Sequence, residues 1–196
     1  MDILFATSNI GKLKEAKEIL GSYNILSLSD FDKKIEVVED GETFEENAVK
    51  KATEISRILN IPVLADDSGL EVDFLDKAPG VLSARFMGED TSYDIKNQYI
   101  IDKLDGIEDE RRTARFVCAI AYAAPDGRVF TARGTIEGII GRSIVGGNGF
   151  GYDPIFFVPS LGKTTAELSM EEKNRISHRG NALRAICEAL RGEGII

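Results

Sequence analysis

The chain alternates between two hydrophobic periods. An apolar run at 2–7 (DILFAT) reads as a buried strand, and apolar or small residues at Leu13, Ala16, Ile19 and Leu20 then recur at helical spacing. A second strand is expected at 24–29 (NILSLS), and a short strand at 34–42 (KIEVVEDGE) running into an acidic turn. The clearest helix follows. Thr43 and Glu46 form a T-x-x-E capping box, and Ala48, Ala52, Ile55 and Leu59 line one face. IPVLADD is the third strand, ending at two adjacent acids. After a loop-rich stretch, Ser92 caps another helix that closes before Gly106. Two long strands around Pro125-Asp126-Gly127 read as a hairpin. A glycine-rich loop (GGNGFGYDP) leads into a short strand (IFFVP). Ser169 and Glu172 form a second capping box, and Ser177 caps a final helix. Helices alternating with strands, then a hairpin, give an α/β chain with a mixed sheet. The hairpin and the glycine loop are expected to form a smaller lobe.

Composition narrows the partners. The 196 residues suit one sizeable domain, or two small lobes sharing a core. A net charge of −9 argues against general nucleic-acid or anionic-membrane binding. The two cysteines, Cys118 and Cys187, sit in apolar surroundings without metal spacing and read as buried reduced thiols. The N-terminus has no basic, apolar leader and no segment is long enough to span a membrane, so the expected compartment is the cytoplasm.

Several stretches carry candidate chemistry. TSNIGK (7–12) lies where a strand ends and a helix begins, the edge at which open α/β sheets bind ligands. Helix-start N–H groups attract anions and Lys12 adds a charge, although Ser8 or Asn9 acting only as a cap is the plain alternative. The pattern is not a P-loop. Asp66 and Asp67 need a cationic compensator if buried. In a regular strand they point to opposite faces, so one could hold a metal while the other acts as base; a polar turn over 66–69 is the alternative. Oxygen donors suggest Mg²⁺. Glu45 and Glu46 are explained by the helix dipole, whereas Glu39 lies outside the helix. His178, the single histidine, sits beside Arg179 and reads either as a surface pair or as recognition of an anion or a base edge. Phe150 and Tyr152 offer faces for a planar base, and Asp153 an acceptor. The inventory is a nucleotide's: Lys12, Lys51 and Lys173 for phosphates, acids for Mg²⁺, aromatics for the base.

The stretches ATSNIGKLKE, GETFEENAVKKA, ADDSGLEVDFL, APGVLSARF, GGNGFGYDPIFFVP and EKNRISHRGNAL, in that order from residue 6 to 183, closely resemble the Ham1-type inosine/xanthosine triphosphate pyrophosphatases. The resemblance implies an elongated mixed sheet flanked by helices, a single ITPase-like domain over 1–196 in two lobes with the substrate cleft between them, and a homodimer. It implies Mg²⁺-dependent hydrolysis of non-standard purine nucleotides (ITP, dITP, XTP) to the monophosphate and pyrophosphate. By motif match, Thr7, Ser8, Asn9, Ile10, Gly11 and Lys12 hold the phosphate end with Lys51. Glu39, Asp66 and Asp67 form the metal side, with Asp67 as general base. Ser68, Phe150, Gly151, Tyr152, Asp153, Lys173, His178 and Arg179 bind the nucleotide.

Overall fold

A computed structural model describes residues 2–31 and 35–196. Seven strands are hydrogen-bonded in the order β2-β1-β3-β4-β5-β6-β7: β1 Asp2–Phe5, β2 Asn24–Leu26, β3 Val63–Val72, β4 Thr113–Ala123, β5 Val129–Ile140, β6 Phe156–Val158 and β7 Lys163–Thr164. β1 runs parallel to both β2 and β3, while β6 is antiparallel to β5 and β7, so the sheet is mixed, as the alternating pattern predicts. Five helices flank it: α1 Ile10–Ile19, α2 Phe44–Leu59, α3 Tyr93–Lys103, α4 Met170–Ile176 and α5 His178–Gly192.

The chain divides into two compact units. The first comprises 1–68, 118–134 and 178–196, the second 69–117 and 135–177. The hairpin is therefore shared: its turn end belongs to the first unit, and the start of β4 with the end of β5 to the second. It does not form a lobe of its own with the glycine loop.

In the first unit, α1 packs against α5 over a core of Ile3, Phe5, Leu20, Leu64, Ile120, Leu183, Ile186 and Leu190. Each such side chain removed from water contributes about 1.5–3 kcal/mol. The capping box is present on α2: Thr43 accepts from the Glu46 N–H, and Glu46 Oε2 accepts from Thr43 and Glu42 N–H groups. Ala48, Ala52 and Ile55 are buried beneath it. In the second unit, Leu70, Val72, Ile100, Leu104, Phe116, Ile140, Ile155 and Phe156 form the core, with the Phe116 and Phe156 rings 4.5 Å apart.

Two expectations are corrected. The strand expected over 34–42 does not form: Lys34 lies outside the described residues, and 35–41 carries no regular element. It is instead tied to α2, with Lys51 on the Glu39 side chain, Lys50 on the Asp40 side chain and Asn47 Oδ1 accepting from the Gly41 N–H. The third strand does not stop at Asp66-Asp67, nor do residues 66–69 form a polar turn. β3 runs through them to Val72, because Leu70 and Val72 continue the buried pattern into the second unit's core.

Candidate active site

Strand β1 delivers the chain to α1 beside the middle of β3. Phe5 pairs with Leu64, and the Ala6 N–H reaches the Leu64 carbonyl at 2.7 Å. Carried forward, this register brings Thr7 level with Asp66. Thr7 Oγ1 accepts from the Asn9 N–H at 3.1 Å, and Asn9 Oδ1 caps α1 by accepting from the Lys12 N–H at 3.1 Å. The cap leaves the first-turn N–H groups of Ile10 and Gly11 outside the helical ladder, where helices hold anions. Ser8, Asn9 and Ile10 are exposed, and Gly11 and Lys12 are half-buried.

Beneath this turn lies a buried charge cluster. Asp66 is fully buried. Its Oδ2 lies 3.0 Å from Lys12 Nζ and 3.2 Å from Arg179 Nη2, and Ser68 Oγ donates to it at 3.3 Å. Arg179 Nη2 also donates to Ser68 Oγ at 2.9 Å, and Nη1 pairs with buried Glu15. Burial opposes charge on Asp66, but Lys12, Arg179 and Lys51 outweigh it and hold the carboxyl well below the usual range. Burial likewise opposes charge on Arg179, and Asp66 and Glu15 overcome it. Cys118 Sγ lies 3.9 Å from Asp66 Oδ2, and burial together with that carboxylate pushes the thiol up to about 12. Cys118 is thus an inert thiol, and both cysteines are buried and unpaired with each other, as their apolar contexts predict.

Asp67, on the other side of the strand, has a different environment. Its Oδ2 accepts from Asn47 Nδ2 at 2.9 Å and its Oδ1 from the Ser68 N–H at 2.9 Å. Burial pushes its carboxyl up, Lys12 and the Asn47 hydrogen bond offset part of this, and nearby Glu39 adds to it. Glu39 pairs with Lys51, whose charge is favoured against burial by Asp66, Glu39 and Asp67. The adjacent acids are therefore driven apart: the carboxyl of Asp66 is held down by the cations at its Oδ2, and that of Asp67 is pushed up. That is the arrangement expected of a structural anion beside a general base.

Among the described residues, no three His, Cys, Asp or Glu side chains converge as a metal cage. A hard cation that keeps much of its water shell needs only one or two carboxylates, and every donor at hand is oxygen. Glu39 and Asp67, close enough to perturb one another, are the two carboxylates that could hold such a cation. Asp66 Oδ1, buried without a hydrogen-bond partner among the described residues, is a further oxygen in the same region.

The second unit gathers Phe150, Asp153 and Lys173. Asp153 Oδ2 accepts from Lys173 Nζ at 2.6 Å and from the Phe150 N–H at 2.8 Å, and its Oδ1 accepts from Thr165 Oγ1 at 2.8 Å. Lys173 Nζ also sits 4.8 Å from the centre of the half-buried Phe150 ring. Gly151 adopts φ +70, and its carbonyl accepts from Asn97 Nδ2 at 3.1 Å.

Three sequence readings change here. The Tyr152 ring is not a stacking face: it is buried edge-on against Tyr93, and its hydroxyl donates to the Ser83 carbonyl at 2.8 Å. The Asp153 carboxylate is not an open acceptor for a base, because it holds the glycine loop to Lys173 and Thr165. His178 and Arg179 are not a surface pair. Both are buried, and the Arg179 fork is spent on Glu15, Asp66 and Ser68 rather than on a base edge.

Sequence reasoning missed Glu15, Asn47 and Thr165. Asn47 could have been found, since Phe44, Asn47, Lys51 and Ile55 fall at helical spacing on one side of α2. Glu15 had no such signal, because its partner is 164 residues away.

Comparison with known proteins agrees with this construction. The model of the Ham1 family matches residues 3–189. A dITP/XTP pyrophosphatase from Exiguobacterium sibiricum is 52% identical over 192 residues, covering 97% of each chain. Another, from Desulforamulus reducens, is 50% identical and covers 97% of this chain and 96% of its own. Among solved structures, the Staphylococcus aureus Ham1 protein superposes with a TM-score of 0.88 at 42% identity, covering 98% of this chain and 100% of that one. With a fold, a motif order and a full-length match all in accord, the chain belongs to the Ham1 family.

Proposed function

We propose that this protein is a Mg²⁺-dependent nucleoside triphosphate pyrophosphatase that converts ITP, dITP and XTP to the monophosphate and pyrophosphate, keeping such nucleotides out of DNA and RNA. The observation that carries the reading is the contrast in surroundings of the adjacent Asp66 and Asp67, with Lys12 and Arg179 on the first and Asn47 and the Ser68 N–H on the second, in a chain half identical to enzymes named dITP/XTP pyrophosphatases. Asp67 accepts the proton of the attacking water. The water oxygen bonds to the α-phosphorus, the bond to the bridging α–β oxygen breaks, and pyrophosphate leaves with the released charge. Lys12, Lys51 and the N–H groups that open α1 hold the phosphates. Glu39 and Asp67 would hold Mg²⁺, with Asp66 beside them, and the bound ion would supply positive charge for the departing pyrophosphate. Ser68 joins the nucleotide contacts. Phe150 supplies a face for the base, with Lys173 and the backbone of 151–153 beside it. Donors near His178 suit the O6 acceptor of a 6-oxopurine and mismatch the amino group of adenine.

The protein is further proposed to work in the cytoplasm as a homodimer. No described helix is long and apolar enough to cross a membrane. The deciding assay incubates purified protein and Mg²⁺ with ITP, XTP, GTP or ATP and separates pyrophosphate from orthophosphate. Pyrophosphate from ITP and XTP far ahead of ATP is expected. Orthophosphate would move the attack to the γ-phosphorus and overturn the Asp67 geometry.

A further inference from the structure

Asn47 lies on α2 one turn inside the capping box, 1% exposed, and its amide is used at both ends. Nδ2 donates to Asp67 Oδ2 at 2.9 Å, and Oδ1 accepts from the Gly41 N–H at 2.7 Å. The orientation is fixed by chemistry. A backbone N–H can only donate and an ionised carboxylate can only accept, so the group between them must offer one acceptor and one donor. Aspartate lacks the donor and alanine lacks both.

The two partners belong to different segments of the chain. Asp67 sits in β3, whereas Gly41 ends the irregular segment that carries Glu39. That segment has no strand ladder to hold it, and its register depends on side chains. Gly41 approaches so closely that an added Cβ would lie 2.8 Å from both Asn47 Oδ1 and Glu46 Cβ. Asn47 itself is rigidly mounted, its N–H bonded to the Thr43 carbonyl at 3.2 Å. Lys51, one turn further along α2, pairs with Glu39 from the same side of the helix. The two hydrogen bonds on Asp67, from Asn47 and from Ser68 N–H, take one position on each carboxylate oxygen and leave another on each for water or cation.

We propose that Asn47 is a positioning residue: it joins Gly41 to Asp67 so that the carboxylates of Glu39 and Asp67 serve one divalent cation. This rests on the roles given to those two acids above. Asn47 touches neither the reacting water nor the phosphates, and acts only through its partners. Supporting groups of this kind, when removed, weaken metal binding or activity by about 10–100-fold.

The test uses Asn47→Ala and Asn47→Asp in the full chain. Asn47→Asp keeps the shape and the acceptor for Gly41 but removes the donor to Asp67. Mn²⁺ binding to the nucleotide-free protein is measured by electron paramagnetic resonance, and pyrophosphate release from ITP is measured with Mg²⁺. Both variants should bind Mn²⁺ about 10–100-fold more weakly and lose kcat to a similar degree, with KM for ITP changed by less than about threefold. Wild-type Mn²⁺ affinity and kcat in either folded variant would overturn the inference. Circular dichroism and melting check folding, and if Asn47→Ala fails to fold, the isosteric Asn47→Asp decides. Failure of the functional reading looks different: wild-type protein would release no pyrophosphate, while the loss of Mn²⁺ affinity in the variants would still uphold the role of Asn47.

Discussion

Arg179→Ala is the most informative perturbation of the buried cluster. The side chain is 1% exposed and stands between two buried carboxylates, Glu15 and Asp66. Its removal takes a cation from both acids, leaves Asp66 with Lys12 as its paired cation and removes a donor from the Ser68 hydroxyl. Removing one partner of a buried ion pair costs about 3–5 kcal/mol, chiefly because the remaining charge is uncompensated. For a chain of this size 1 kcal/mol lowers Tm by about 2–4 °C, so the variant should melt roughly 6–20 °C below wild type at pH 7.5. Adding Glu15→Gln removes one of the stranded charges. The double variant should therefore be more stable than the sum of the single losses, with a coupling of about 0.5–3 kcal/mol.

The pH dependence tests the cause rather than the size. Asp66 in the wild type is held below its unfolded value of about 3.9, so its contribution is fully present above that pH and is lost only as pH falls through the lower folded value. Without Arg179, burial regains its influence and Asp66 takes up a proton at higher pH. The melting gap between wild type and variant should accordingly narrow as the pH is lowered from 8 toward 5. Calorimetric melting in that range measures it. A loss below about 2 °C at pH 7.5, less than 1 kcal/mol, or a gap that stays constant or widens on acidification, would refute the idea that Arg179 compensates buried anions.

Asp67→Asn should reduce kcat by about 10²–10⁴ while calorimetric ITP affinity stays largely intact; normal turnover would remove Asp67 from the role of base. Asp153→Ala removes the carboxylate that pairs with the buried Lys173 ammonium and accepts from the Phe150 N–H, so a loss of about 3–5 kcal/mol in denaturant unfolding is expected, with a higher KM for ITP and XTP alike. A KM change for one base only would instead return Asp153 to base reading. Gly134→Ala would set a Cβ 2.2 Å from the His178 carbonyl oxygen and 2.4 Å from the Ala182 nitrogen, both backbone atoms of α5. Overpacking of about 1–3 kcal/mol should lower Tm by roughly 2–12 °C, and an unchanged Tm would mean that α5 shifts freely at its first turn.

What the sequence made legible were the features whose causes are local. The capping boxes at Thr43/Glu46 and Ser169/Glu172 involve residues three apart and form as read. The 35–40 segment shows the limit of periodicity. Its residues do alternate half-buried and exposed, as a strand's would, yet it pairs with no strand among the described residues. A period of two reports extended backbone; a ladder also needs a neighbour with free N–H and C=O groups, and no pattern within the segment supplies one. The acids of β3 show the same limit in electrostatics. Two adjacent carboxylates inside a strand look forbidden until Lys12, Arg179 and Asn47 arrive from 54, 113 and 20 positions away. The reading that ended the strand at Asp66-Asp67 applied the right penalty with the compensators missing. The surface reading of Arg179 fails for the complementary reason: a cation beside a lone histidine looks available until its buried anions are counted. Motif resemblance put Asp67 forward as the base and Asp66 on the metal side but supplied no physical cause for the difference, because a motif does not record which distant groups reach each face of the strand. The contrast in their surroundings comes from the three-dimensional arrangement, with Lys12 and Arg179 on Asp66 and with Asn47 and Glu39 beside Asp67.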